Sequence, residues 1–237
     1  ERGSESPAVA VAEQLGVPVL ELVGRGDGAG AFTVAAASAA SAASAASAGS
    51  TAAVPRPVEP ARPDDIALIL HTSGTTSRPK IVPLSQANVC ASAAHIRATL
   101  ALTAADRELS IMPLFHIHGL IAGVLAPLAA GGTIFCTPGF NALKFFGWMA
   151  EARRSWYTAV PTMHQAILGR AARSREVIAA HPLRFLRSSS SSMPPQVIAE
   201  LEDVFGAPLI EAYGMTEAAH QMASNPLPPR PRKPGTV

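Results

Sequence analysis

From Asp64 onward the chain alternates short apolar runs with helix-compatible stretches, and this alternation most limits the folds open to it. Ile66 to Leu70 reads as a buried strand, Lys80 to Pro83 as a short extended piece, and Ser85 as the cap of a helix running to about Leu100. Glu108 to Met112 reads as strand, Leu120 to Ala130 as helix and Thr133 to Cys136 as strand. Asn141 is placed to cap a helix reaching about Arg153. Trp156 to Val160, Leu183 to Arg187 and Pro208 to Glu211 supply further strands, with helices opening at Thr162 and at Pro194, the latter reaching Phe205. Strands alternating with helices predict an α/β fold with a largely parallel sheet and flanking helices. Ligands in such sheets sit beyond the carboxyl ends of the strands. The chemistry is therefore sought in the loops that follow strands.

The first 63 residues have another character. Ala8 to Leu15 is helix-compatible with Gly16 as a C-terminal cap, and Val17 to Leu22 is strand-like, as at the tail of a preceding α/β subdomain over residues 1–30. A Gly-rich patch runs from Gly24 to Gly30. Residues 31–63 form an Ala/Ser/Pro-rich stretch: Ala-Ala-Ser repeats from Ala35 to Ala53, then prolines from Pro55 to Pro63. With no large apolar face to pack, this stretch reads as a flexible loop rather than an interaction arm. Residues 64–237 are the expected α/β core.

Composition excludes several classes. Nineteen Lys plus Arg against 17 Asp plus Glu leave a net charge of +2, too balanced for a general nucleic-acid or anionic-membrane binder. Two cysteines, Cys90 and Cys136, cannot build a disulfide framework or a Cys-rich zinc module. The apolar stretch from Gly119 to Cys136 is broken by Pro127 and Gly131-Gly132, so it reads as helix, stop and strand instead of a membrane span. A cytoplasmic location is the default.

Four local patterns carry chemistry. Thr72-Ser73-Gly74-Thr75-Thr76-Ser77, followed by Lys80, comes straight after a strand. Small residues let backbone N–H groups approach an anion, hydroxyls add donors, and lysine adds the charge that suits phosphate. The second glycine of a Walker A loop is missing. Tyr213-Gly214-Met215-Thr216-Glu217 follows the last strand and combines an aromatic face for a base, a hydroxyl for a phosphate and a carboxylate for Mg²⁺. His116-Ile117-His118 could hold zinc, but no third ligand has a predictable position, so lining a substrate cleft is the better reading, with His118 equally a structural histidine. Ser188 to Ser192 sits at a strand-to-helix turn, where hydroxyls near a helix N-terminus can hold a carboxylate or a nucleotide. No Gly-X-Ser-X-Gly elbow exists to support a hydrolase nucleophile.

In order and spacing these patterns resemble the AMP-forming adenylating superfamily of acyl-CoA synthetases, luciferases and peptide-synthetase adenylation domains, from Asp64 to the C-terminus. A narrower resemblance is to oxalate–CoA ligases. It rests on His71 to Lys80, on Arg187 to Ser192, and on Glu211 to Glu217 followed by His220 and Ser224-Asn225-Pro226-Leu227-Pro228. Most of the superfamily has Gly, Ala and Pro where Ser189 to Ser192 stand. Serines and a histidine suit a tiny dianion better than a fatty tail.

The resemblance implies a two-step acid–thiol ligase that uses MgATP and coenzyme A with a small carboxylate. It implies that Thr72 to Ser77 and Lys80 hold the β- and γ-phosphates. Ser190, Ser191, Ser192, Glu211, Ala212 and Tyr213 would frame the adenine. Thr216 would touch the α-phosphate and Glu217 would bind Mg²⁺, with His116, Ser190 and His220 near the acid. Two positions depart from the pattern: Ser77 and Ile81 stand where many relatives carry glycine. The ribose-binding aspartate, the hinge and the small C-terminal domain with its lysine would lie beyond Val237, so the isolated chain is expected to catalyse little. Two other readings stay open: a ligase for a longer or aryl acid, and a nucleotide-binding remnant without chemistry. A peroxisomal address would sit at a C-terminus of the longer protein.

Overall fold

The structure is a computed structural model describing residues 7–26, 32–36, 59–72, 79–153 and 155–237. The chain divides into two compact units, Glu1–Pro60 and Ala61–Val237. In the first, helix α1 (Pro7–Gln14) ends at Gly16, whose positive φ of 65° suits a residue without Cβ. Strands β1 (Leu20–Gly24) and β2 (Phe32–Ala36) then pair antiparallel, Leu20 opposite Ala36 and Gly24 opposite Phe32. β2 falls inside the stretch read as Ala/Ser/Pro-rich loop. The Ala-Ser repeats beyond it and the start of the proline run lie outside the described residues.

The second unit holds a six-stranded sheet in the order β10-β9-β8-β7-β5-β6. Its strands are β5 (Arg107–Ser110), β6 (Thr133–Cys136), β7 (Trp156–Ala159), β8 (Phe185–Ser188), β9 (Leu209–Met215) and β10 (His220–Ser224). β5 to β9 are parallel and β10 returns antiparallel on β9. Because β6 and β7 flank β5 on opposite sides, the winding reverses there, the place in an α/β sheet where ligands are commonly held.

The registers place alternate side chains on two faces. Leu109, Tyr157, Ala159, Leu186 and Leu209 face one way. They pack on α4 (Phe145–Ala152), α5 (Pro161–Ala171), α6 (Arg175–Ala180) and α7 (Pro195–Phe205), through Phe145, Met149, Ile167, Leu201 and Phe205. Trp156, Phe185 and Ile210 face the other way and pack on α2 (Gln86–Thr99) and on residues 118–129. Each such fully buried side chain stabilises by about 1.5–3 kcal/mol, so these two layers drive the fold. The second face also carries a polar seam: Glu108, Ser110, Thr158 and Arg187 are all buried there.

Sequence expectation and structure differ at four places. Ile66 to Leu70 is not a buried strand of the parallel sheet. β3 (Ile66–Thr72) pairs antiparallel with β4 (Lys80–Ser85) in a separate hairpin; Leu68 and Leu70 touch the core while Ile66 and Ile69 stay exposed. The helix expected at Leu120 begins earlier, as a π-helix over His118–Leu125 with Ala126 N–H bonded to the carbonyl of Ile121, before α3 (Ala126–Ala129). Asn141 closes a turn onto the N–H groups of Leu143 and Lys144, and the helix follows at Phe145. β9 runs on to Met215, so Tyr213-Gly214-Met215 lies within the strand instead of after it. Ser85 caps α2 as expected, accepting from Asn88 N–H while Asn88 reciprocates to the Ser85 N–H. Among the described residues no helix is long and apolar enough to cross a membrane.

Candidate active site

The carboxyl ends of β5, β8 and β9, with the last residue of β3 and the first of β4, surround a cleft of about 390 Å³. Thr72 and Lys80 enter from the hairpin, His116 from the loop after β5, and Ser190 from the turn after β8. Thr216 and Glu217 come from the short turn between β9 and β10, and His220 from the first residue of β10. Seven residues singled out in the sequence thus meet at one place. A contiguous hollow of about 250 Å³ is lined by Ser190, Ser191, Ser192, Ala212 and Tyr213, with half of the Tyr213 side chain open to solvent. A larger groove of about 680 Å³ lies between α5, α6 and the end of α7, and gathers none of these residues.

Not every expected residue converges. Ser73, Gly74, Thr75, Thr76 and Ser77 lie outside the described residues. The side chain of Glu211 lines neither hollow. Its carboxylate accepts from Gly235 N–H at 2.7 Å and Asn225 Nδ2 at 3.4 Å, tying β9 to the C-terminal segment. Burial raises its pKa, against the pull of those bonds and of Arg232. Ala212 contributes its carbonyl, which accepts from Ser189 Oγ at 2.8 Å. Glu217 is exposed at the cleft, an orientation that suits an oxygen-seeking Mg²⁺ ion that keeps several of its waters. Among the described residues no three His, Cys, Asp or Glu side chains group as a metal cage.

The turns that present the polar groups are strained. Ser190 has φ 77°, Ala219 φ 52° and His220 φ 99°. Such conformations cost non-glycine residues about 1–3 kcal/mol each and persist where surrounding bonds hold them. One such bond runs from Ser92 Oγ on α2 to the Ala219 carbonyl at 2.6 Å.

Behind the cleft lies a buried network in which sequence reasoning gave Arg187, Thr158 and Gln221 no role. Arg187 Nη1 stands 3.2 Å from His118 Nε2 and donates to Thr158 Oγ1 at 3.2 Å. Nη2 stands 3.2 Å from His220 Nε2 and donates to Gln221 Oε1 at 3.0 Å. Thr158 Oγ1 and His118 Nε2 are 2.6 Å apart, and His118 Nδ1 is 3.0 Å from Ser190 Oγ. The His118 and His220 rings stack at 4.8 Å. Burial, and then the Arg187 charge, hold both imidazoles well below the usual histidine range, so both are neutral. Burial draws Arg187 down to about 9, leaving it charged at neutral pH. His116 plays a different part: its Nδ1 accepts the His118 backbone N–H at 3.2 Å, and partial burial lowers its pKa. The sequence signal for this network was an arginine in an otherwise apolar strand, directly before the serine run.

Comparison with known proteins bears on this geometry. The sequence profile of the AMP-binding enzyme family matches residues 5–237. The chain is 52% identical over 179 residues to the oxalate–CoA ligase of Arabidopsis thaliana, covering 74% of this chain and 34% of that protein. It is 38% identical over 183 residues to the sulfoacetate–CoA ligase of Cupriavidus necator, covering 76% and 35%. A crystal structure of ATP-bound MatB from Rhodopseudomonas palustris superposes with a TM-score of 0.66 at 31% identity, covering 74% of this chain and 34% of that one. The chain spans about a third of the length of these relatives.

Proposed function

Since the chain belongs to the AMP-binding enzyme family, we propose that it forms the nucleotide- and acid-binding core of an AMP-forming CoA ligase acting on a small dianionic acid, oxalate foremost. The observation that carries this reading is the convergence of Thr72, Lys80, Thr216 and Glu217 with His116, Ser190 and His220 in one cleft at the strand ends.

In the first step an acid carboxylate oxygen attacks the α-phosphorus of ATP. The bond from that phosphorus to the bridging oxygen breaks, and pyrophosphate leaves. In the second step the thiol sulfur of coenzyme A, having lost its proton, attacks the acyl carbon and expels AMP. Neither step needs a protein nucleophile; both need positioning and charge neutralisation. Thr72 and Lys80, with Ser73 to Ser77 by sequence, hold the β- and γ-phosphates. Thr216 reaches the α-phosphate. Ser190, Ser191, Ser192, Ala212 and the open face of Tyr213 frame the adenine, and Glu211 supports that strand from behind. Glu217 would hold Mg²⁺, which neutralises phosphate charge when bound. His116, Ser190 and His220 meet the acid.

The acid end brings the hydroxyl of Ser190 and the imidazoles of His116 and His220 together beside Ile117 and Met215, and that polar cluster favours a compact charged acid over a fatty or aryl one. The likeness to both an oxalate–CoA and a sulfoacetate–CoA ligase agrees with a short dianion. The test is acid-dependent AMP release by the intact protein with MgATP and CoA, across oxalate, malonate, sulfoacetate, a fatty acid and an aryl acid. Oxalate is expected to give the highest kcat/KM. A preference for another short dianion would discard oxalate; a preference for the fatty or aryl acid would discard the compact-acid reading. Silence with every acid would leave a nucleotide-binding remnant.

A further inference from the structure

We propose that Arg187, which never reaches the cleft, is the positioning residue that turns its acid end into an all-donor anion site, by dictating through Thr158 and two imidazoles which atoms of Ser190 and His220 carry hydrogen. The inference deepens the function proposed above, and rests on that reading for the identity of the anion.

A guanidinium has five N–H donors and no acceptor, so every atom it bonds must offer a lone pair. Arg187 stands 3.2 Å from Nε2 of both His118 and His220. Both Nε2 atoms must therefore be bare, and each neutral ring carries its proton on Nδ1. Thr158 Oγ1 accepts from Arg187 and is left with its own hydrogen, which it gives to His118 Nε2 at 2.6 Å. His118 Nδ1–H then donates to Ser190 Oγ at 3.0 Å. Ser190, having accepted, keeps its hydroxyl hydrogen to donate into the cleft it lines. On the second arm, His220 keeps Nδ1–H as the donor of a ring that also lines the cleft. Every bond points outward from Arg187, and such aligned chains strengthen one another in a low dielectric.

The charge balance points the same way. Arg187 is wholly buried, its Nε has no hydrogen-bond partner, and among the described residues no carboxylate pairs with it. A buried cation without a counter-ion is costly, and an anion bound at Ser190 and His220 relieves that cost without touching the guanidinium.

The test uses the intact protein with ¹⁵N-labelled histidine, oxalate as the probe acid, and the variants Arg187→Met, Arg187→Lys and Thr158→Val. In the unsubstituted protein near neutral pH, the ring ¹⁵N shifts of His118 and His220 should both report Nδ1–H. Arg187→Met should lose that preference on both rings and raise the KM for oxalate by about tenfold or more, with the KM for ATP within about twofold. Arg187→Lys should recover part of the oxalate affinity. Thr158→Val, which removes the hydroxyl bonded to His118 Nε2 and keeps a similar volume, should move the His118 ring signals while Arg187 holds both rings as Nδ1–H, and Nε2–H on either ring of this variant would overturn the inference even if the methionine variant fails to fold. Nε2–H on either ring of the unsubstituted protein overturns the inference, as does an unchanged oxalate KM in Arg187→Met. If no acid supports AMP release, the proposed function falls while the tautomers still decide the role of Arg187.

Discussion

Glu108 shares a sheet face with Arg187, yet its carboxyl is wholly buried and neither oxygen has a hydrogen-bond partner. Burial pushes its pKa well above the carboxylate range, so it is held as the neutral acid. The folded state therefore keeps a proton that the unfolded chain releases above its ordinary value of about 4.5, and Glu108 opposes folding increasingly as pH rises. Glu108→Gln should raise Tm at pH 8 by about 2–4 °C, on the order of 1 kcal/mol for a chain of this size, with no gain at pH 4. Equal shifts at both pH values, or a loss at pH 8, would reject a neutral buried acid. Thr72, Lys80, Thr216 and Glu217 were legible as candidates because they stand in short local patterns, and the fold brings them to one cleft. Arg187 and Thr158 were not, because their partnership depends on β7 and β8 lying in register, Thr158 beside Arg187, across 29 residues of chain.

At the level of elements, Asp106 fastens the entry of the sheet. Its carboxylate accepts from Thr103 N–H at 2.9 Å, Ser155 Oγ at 2.8 Å and Arg184 Nε at 2.9 Å, joining the starts of β5, β7 and β8. Burial works to raise its pKa, but those three bonds and the Arg184 charge outweigh it and leave the carboxyl below its ordinary value. Asp106→Ala should destabilise by about 2–4 kcal/mol, read as a lower urea midpoint with an unchanged m-value. A midpoint within experimental error of the parent would show that the three strand entries are held by packing alone. Helices and central strands were legible from period and caps, as at Ser85. The β3–β4 hairpin was misread because five consecutive apolar residues suit a doubly buried strand as well as one that hides only Leu68 and Leu70. The π-helix at His118 leaves no mark in the apolar pattern, since its wider turn is set by what it packs against.

For the whole molecule, protonation sets the window of stability. His118, His164 and His220 are buried and neutral, His164 drawn by burial to about 4. Their folded pKa values lie below the unfolded value of about 6.5, so their contribution is complete above pH 6.5 and is lost as pH falls below it. Glu108, and in part Glu211, act oppositely, holding protons in the folded state that the unfolded chain releases above about pH 4.5. Between pH 6.5 and 5 the unfolded chain comes to bind a net excess averaging on the order of one proton, a loss of roughly 1.4 kcal/mol per pH unit. Urea midpoints at pH 6.5, 5.8 and 5.0 should fall in that order; a flat or rising series would contradict neutral buried histidines. The α/β class was legible because alternation of strand and helix survives without knowledge of contacts. The separate hairpin and the strand order were not, being decided by which apolar faces find each other.

The order β7-β8-β9-β10 in space repeats the order in the chain, whereas β5 and β6 are placed before the winding reverses. Once β7 has docked on β5, each later strand has its template already standing when it leaves the ribosome. The strand starts at Trp156, Phe185 and Leu209 are separated by a few dozen residues at most, an interval of about 1–6 s at roughly 5–20 residues per second. The sheet can therefore be laid down one edge at a time during synthesis, with a single growing edge waiting for its next strand. The connection from β5 to β7 is the longest between neighbouring strands of this sheet, so its closure costs the most chain entropy.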